Sequence, residues 1–421
     1  MPELEITAMT FGPYGLGRLG GKAVMVPNCA PGDLLEVEIE SERRDYTLAR
    51  PVAVIRPGPD RRGPPCPFLP RCGGCDWQQI AYPAQVRLKG EIIAAELGRA
   101  LGVALDAASL VEPAPDEFGY RSRIRLKAGP DGTLGFRELG SNRIVAIDRC
   151  MVAAEGIRLP HRLAAALGRN LDEIEVVRNG AREVLIAHLT RAPGAAEIER
   201  ARAVMEADGE IAGIVMRGGR GREAIGDAAI AIELEPGLEI TVDADLFSQV
   251  NHVQNRRLIA FVMEAAGARQ AAQNLDVRIL DLFCGAGNFS IPAARRGAEV
   301  TGVDSEPPAV AAAAANAKRL GFERARFSAM KAAETAAFLI RARYRPATVI
   351  LDPPRAGAPN LIDPIARLGA QAVIYVSCNL TTLARDLRAL ETRGYRLKNI
   401  RAFDFFPNTH HVELVAHAVL T

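Results

Sequence analysis

Leu280-Asp281-Leu282-Phe283-Cys284-Gly285-Ala286-Gly287-Asn288-Phe289-Ser290 decides the fold of the C-terminal half of the chain. The apolar run Val277 to Phe283 reads as a strand buried on both faces of a parallel sheet; a turn with glycines at 285 and 287 follows, and a helix opens after it. Working outward, Glu299 to Val303, Ala325 to Ser328, Thr348 to Leu351 and Ala372 to Val376 are runs of the same kind, separated by helical stretches such as Ala309 to Leu320 and Thr382 to Leu390. Arg396 to Phe405 and His411 to Leu420 then follow one another without a long helix between them, the signature of an antiparallel pair closing the sheet. Five alternating strands and a terminal pair predict a seven-stranded doubly wound α/β domain over residues 241–421.

The remaining chain divides in two. Residues 1–58 alternate in short stretches such as Leu34 to Ile39, punctuated by Gly12, Gly15, Gly17, Gly20 and Gly21, which predicts a small antiparallel barrel. Arginines 43, 44, 50, 56, 61 and 62 supply cations near its end. Residues 59–240 read as a central mixed α+β domain, beginning in a Pro/Gly/Arg-rich segment and continuing into an amphipathic helix over 84–101 that can pack on the C-terminal domain. Between Phe118 and Cys150 seven cations oppose three acids, and those at 121, 123, 125 and 127 alternate along one expected strand, which puts them on one face. Either a phosphate-bearing partner or plain solvent suits such a face. Overall charge is nearly balanced, 52 Lys+Arg against 50 Asp+Glu, so any nucleic-acid contact must come from local clusters like these. No apolar run reaches the ~18 residues of a membrane span, and the N-terminus carries glutamates where a signal peptide would carry cations, which points to a cytoplasmic protein with no membrane contact. No obligate protein partner is evident. Seven cysteines, three of them within residues 66–75, favour metal binding over disulfides.

The glycine turn can take a nucleotide-like cofactor, since Gly285 and Gly287 let the backbone approach a ligand closely. Position 290 is Ser, so the dinucleotide pattern G-x-G-x-x-G fails. Asp304 ends the next strand, where a carboxylate can accept from ribose hydroxyls, and Asp352 ends a later one; the carboxyl ends of a parallel sheet share one crevice. With no phosphate-gripping lysine, S-adenosylmethionine (SAM) fits best. Asp352-Pro353-Pro354 would suggest amino methylation if an aromatic residue followed, but Arg355 follows. The next strand ends in Ser377-Cys378-Asn379 before an expected helix, whose N-terminus favours a thiolate at Cys378. Glu413 is an acid inside an apolar strand, a costly place without work or a partner. Together these types solve one problem: carbon 5 of uracil becomes nucleophilic once a thiolate adds at carbon 6, and a base must afterwards remove the proton from carbon 5. Cys378 is read as the nucleophile, Glu413 as the base, and Asp352 as the acceptor of the ring N–H. Cys29 and Cys284 are assigned to packing.

The motifs DLFCGAGNFS, VDSEP, LDPPRAG, YVSCNLTTLARDL and FPNTHHVELV, in this order and spacing, resemble the RNA uridine-5-methyltransferase family over nearly the whole chain. The resemblance implies that Cys378 and Glu413 are the family's nucleophile and base. It also implies that Gln249, Phe283, Asn288, Asp304 and Asp352 contact SAM or the target base, and that the N-terminal barrel is a TRAM domain. Two departures stand out: the ribose carboxylate, commonly Glu, is the shorter Asp304, and Ser328-Ala329-Met330-Lys331 offers no obvious polar adenine contact. The spacing Cys66-x5-Cys72-x2-Cys75, completed by Cys150, resembles the iron–sulfur members that carry a [4Fe-4S] cluster, although four thiolates could equally hold zinc on chemistry alone. The implied activity is SAM-dependent methylation of carbon 5 of a uridine flipped out of folded RNA. Ribosomal RNA, 23S in particular, is favoured over transfer RNA. A catalytically silent RNA-binding assembly factor is the rival from another class.

Overall fold

The computed structural model describes residues 1–267 and 277–421. Strands Glu3–Glu5, Ala8–Met9, Tyr14–Leu19, Lys22–Pro27, Leu34–Glu42 and Tyr46–Arg56 form one curled sheet around Leu4, Ile6, Val24, Val26, Leu35 and Val37. Gly17 is required where the first and third strands meet, because a Cβ there would stand 2.5 Å from the Glu5 carbonyl oxygen. The arginines of this segment are largely committed: Arg50 pairs with Glu38, Arg61 with Asp33 and Arg62 with Glu117, leaving Arg43 and Arg44 without an ion pair among the described residues. A small core of Met9, Ala30, Trp77, Ile80, Ala84 and Leu88 joins the sheet to the cysteine-bearing loop and the helix behind it.

The central sheet has seven strands, in the order Ile144–Ala146, Leu134–Arg137, Arg123–Ala128, Leu171–Asn179, Arg182–Leu189, Ile211–Gly218 and Gly221–Gly226. Here the structure corrects the expected basic face. Arg121 lies outside the strand, and Arg125 and Lys127 stand in register with Glu175 and Glu173. Arg125 reaches Glu175 at 2.5 Å and Lys127 reaches Glu173 at 2.8 Å. Arg125 and Lys127 therefore face acids from the adjacent strand, which offset their like charge within the sheet.

The C-terminal sheet has eight strands, not seven. Its order is Ala325–Ala329, Glu299–Asp304, Arg278–Leu282, Thr348–Leu351, Ala372–Ser377, Glu413–Leu420, Tyr395–Phe403 and Val111–Glu112. The first five run parallel, and the last strand of the chain inserts antiparallel beside Ala372–Ser377. Its sequence, ELVAHAVL, is buried on both faces along most of its length and so belongs in the interior. The eighth strand, Val111–Glu112, comes from the central segment and covers the edge strand Tyr395–Phe403. Helix Tyr82–Leu101 buries Ile93 and Leu97 in the core that also holds Leu383 and Leu387. Lys89 on that helix makes a fully buried ion pair with Asp404 at 2.7 Å. Hairpin Ala229–Glu235 and Leu238–Asp243 packs Ile230, Ile232 and Ile240 with Ile279 and Val300, so a domain boundary at residue 240 falls inside one element. Among the described residues no helix is long and apolar enough to cross a membrane.

Candidate active site

The parallel strands end at one edge of the sheet, and the inserted antiparallel strand begins at that same edge, with Ser377 opposite Leu414. This topology brings the turns after Leu282, Asp304, Leu351 and Ser377 together with Glu413, although Leu282 and Glu413 are 131 positions apart in the chain.

On one side lies the glycine turn. Phe283, Gly285 and Gly287 all have left-handed backbone, with φ of 70°, 52° and 98°. A Cβ on Gly285 would meet no neighbouring atom, so its φ and the open space before it are what glycine serves there. The Phe283 and Cys284 N–H groups donate to the Val303 carbonyl, at 2.8 and 3.0 Å, and fasten the turn to the neighbouring strand. Asp304 accepts from the Gly285 N–H at 3.0 Å and from the Glu306 N–H at 2.9 Å, which leaves each carboxylate oxygen further accepting capacity. Asn288 exchanges amide hydrogen bonds with Asn255, at 2.8 and 3.1 Å. Gln249, Phe283, Gly285, Asn288 and Asp352 line one pocket, and Asp304 lines the adjoining cleft with Phe283, Gly285 and Asp352. None of Ser328 to Lys331 lines either space. Cys284 is buried in the turn wall and Cys29 in the N-terminal sheet.

Several contributors here carry no local sequence signal. Asn255 is placed by tertiary packing alone. Phe247, 77% exposed, stands at the mouth of both spaces. Its loop is gripped from the central sheet: Arg123 donates to the Leu246 carbonyl at 3.1 Å, and Arg222 to both oxygens of Asp245 at 2.9 and 3.1 Å. Arg123, read from the sequence as one of an exposed row, is thus a strut beneath this loop.

On the other side lie the thiol and the acids. Burial pushes the Cys378 thiol up, Glu413 and Asp352 push it further, and the Arg355 guanidinium pulls it down. The thiol thus stands above its ordinary range although it lies just before a helix. The first amides of helix Leu380–Glu391 are also engaged elsewhere, with Thr381 and Thr382 donating to the Asn379 side chain at 3.1 and 3.3 Å. Burial holds the Glu413 carboxyl well above the usual carboxylate range, with Asp352 repelling and Arg355 attracting. Burial and then Asp304 raise Asp352 to about 7. Arg355 is therefore the cation that balances this acidic crevice, a role its place after Asp-Pro-Pro does not reveal. Its carbonyl accepts from Asn379 Nδ2 and Thr382 Oγ1, both at 3.2 Å, which ties the loop to the thiol-bearing turn. Further along, the Ala358 N–H donates to Asp386 at 2.8 Å, and Tyr375 donates to the same oxygen at 2.7 Å.

Cys66, Cys72, Cys75 and Cys150 line a single separate cavity with Phe68, Phe136 and Arg121. Burial raises Cys72, Cys150 and, to about 12, Cys75, while Arg121 draws the last two down. Among the described residues no three His, Cys, Asp or Glu side chains are placed around one metal ion.

Five parallel strands, an inserted antiparallel strand, a glycine turn and acids at the next strand ends define an α/β methyltransferase fold. A family model described as tRNA (Uracil-5-)-methyltransferase matches residues 238–418. The chain is 34% identical to the 23S rRNA (uracil(1939)-C(5))-methyltransferase RlmD of Pseudomonas putida, over 98% of this chain and 92% of that protein. It is 35% identical to the protein of the same name from Pseudomonas entomophila, over 96% and 90%. The crystal structure of Pyrococcus abyssi tRNA (uracil-54, C5)-methyltransferase in complex with S-adenosyl-L-homocysteine superposes with a TM-score of 0.77 at 27% identity, covering 99% of this chain and 100% of that one. The chain belongs to the RNA uracil-5-methyltransferase family.

Proposed function

We propose that this protein methylates carbon 5 of a uridine in RNA, with 23S ribosomal RNA as the substrate and SAM as the methyl donor. The observation that carries the reading is the meeting of Cys378 and Glu413 at one sheet edge, beside Asp352 and the glycine turn. Bound SAM supplies an electrophilic methyl group. The Cys378 thiolate adds to carbon 6 of the uracil, and the ring electrons shift to make carbon 5 nucleophilic. Arg355 offsets the negative charge that gathers in the crevice as the thiol ionises. Asp352 accepts the ring N–H and orients the base. After methylation Glu413 takes the proton from carbon 5; the electron pair left behind restores the C5–C6 double bond and expels the Cys378 thiolate. A carboxylate whose proton affinity is raised by burial is well matched to that step. Gln249, Phe283, Gly285, Asn288 and Asp304 form the SAM-binding wall.

The four cysteines suit a [4Fe-4S] cluster better than one zinc ion. They are an all-sulfur donor set around a shared cavity, which suits a cluster held by thiolates alone, and their spacing resembles that of the iron–sulfur members. Cys66, Cys72, Cys75 and Cys150 would hold it, and its role would be to fasten the loop at 66–75 to the hairpin that precedes Cys150. Residues 1–58 read as a TRAM-like RNA-binding barrel, the chain from residue 59 to the hairpin as the cluster-bearing middle, and the hairpin from Ala229 onward, with the rest of the chain, as the catalytic part.

Mass mapping of 5-methyluridine in ribosomal and transfer RNA from cells lacking the protein tests the assignment. Loss of one 23S site, restored by the wild-type chain but not by Cys378→Ala, is expected. Loss confined to transfer RNA would move the substrate, and restoration by Cys378→Ala would remove the nucleophile.

A further inference from the structure

Glu413 starts a strand, and what precedes it determines where its carboxyl stands. The preceding loop does not rest on its own domain alone. The Asp76 and Trp77 N–H groups both donate to the Asn408 carbonyl, at 3.2 and 3.0 Å. The Asp76 carboxylate in return takes the His410 N–H at 2.9 Å and the His410 Nδ1 at 2.5 Å. Four hydrogen bonds thus join the two residues after Cys75 to a segment 334 positions away that ends three residues before Glu413. Asn408 holds a left-handed backbone, φ 67°, which asparagine tolerates, and its side chain and N–H are fixed in addition by Arg62, Gln85 and Glu117. The His410 ring centroid lies 4.0 Å from that of His411, and the His411 ring meets Phe406 in an edge arrangement at 6.1 Å, so the residues just before Glu413 are packed against one another.

We propose that Asp76 is a positioning residue for Glu413, holding it through His410 so that proton removal from carbon 5 depends on the fold of the cysteine-bearing loop. The proposal rests on the reading of Glu413 as the base. Cys378 is held by a different scaffold, in which Asn379 and Ser377 bond one another and the helix cap lies beyond them. Addition of the thiolate and removal of the proton are therefore separable.

The test uses full-length protein with its iron content verified, and target RNA carrying uridine or 5-deuterouridine. Asp76→Ala and His410→Ala should lower kcat roughly 10- to 100-fold while the RNA KM stays within about twofold. A deuterium isotope effect on turnover should appear or grow, and the covalent RNA–protein intermediate should accumulate. Asp76→Asn, which keeps an acceptor for the His410 amide, should recover most of the rate. A purely structural role would lower intermediate formation and turnover together with no new isotope effect; that result, or unchanged turnover, overturns the proposal. If Asp76→Ala does not fold, His410→Ala, which leaves the backbone contacts in place, decides alone. Glu413→Gln serves as the reference: if it fails to accumulate the intermediate, the assignment of the base is wrong, whereas accumulation there but not in the Asp76 and His410 variants refutes the positioning role alone.

Discussion

Arg355 is the residue on which the electrostatics of the crevice turn. It is the group that draws the Cys378 thiol down against burial, Glu413 and Asp352. Arg355→Ala should therefore raise the pH at which activity appears and lower kcat/KM by roughly 100-fold at neutral pH, with Arg355→Lys in between; a pH–rate profile checks both. Asp352 makes an opposite kind of statement. Its carboxyl holds a proton up to about 7 in the folded chain, whereas an unfolded aspartate releases it near about 3.9. Between those values the native state binds more protons, so this group's contribution to stability falls as pH rises. Asp352→Asn, which cannot titrate, should match the wild type in thermal unfolding at pH 4 and exceed it by roughly 2 °C or more at pH 8. A constant difference across that range would contradict the assigned shift.

Helix Tyr82–Leu101 shows how the elements are fixed to one another. Its fully buried Lys89 pairs with Asp404 and passes 5.9 Å from the Trp77 ring centroid. Lys89→Met should strand a buried carboxylate and cost about 3–5 kcal/mol in urea unfolding, whereas the double change with Asp404→Leu should recover most of it. What could be read in advance at this scale follows the range of the signal. The strand-turn-helix at 277–290 was legible because its apolar run and its glycines lie within one stretch of chain, and Glu413 stood out because an acid in an apolar strand is a local anomaly. The strand Val111–Glu112 is too short to have a period, and its pairing with Ala402 and Phe403 is a tertiary fact. The cations at 123, 125 and 127 follow the same rule: Glu173 and Glu175, which pair with them, lie about 50 residues downstream. Arg355 could be seen, but its partner Cys378 could not be inferred from a motif that ends before it.

At the scale of the whole molecule, the cysteine-bearing loop is where the parts meet. Trp77 donates to the Gly12 carbonyl of the N-terminal sheet at 3.2 Å, Gln79 reaches the Cys29 carbonyl at 3.0 Å, Gly73 donates to Arg137 of the central hairpin at 2.9 Å, and Asp76 holds His410. On the proposed ligation, Cys72→Ser should yield colourless protein of reduced stability, with iron analysis falling towards zero; normal iron content would argue against ligation. The proposed chemistry turns on a sulfur atom that this loop does not touch, that of Cys378, and the most direct measurement follows that atom. RNA substituted with 5-fluorouridine offers no removable proton at carbon 5, so the enzyme should stall as a covalent complex that survives denaturation, with the RNA-linked peptide mapping to Cys378 and no complex forming with Cys378→Ala. An active preparation that forms no such complex, or one that forms it at another residue, would contradict the account.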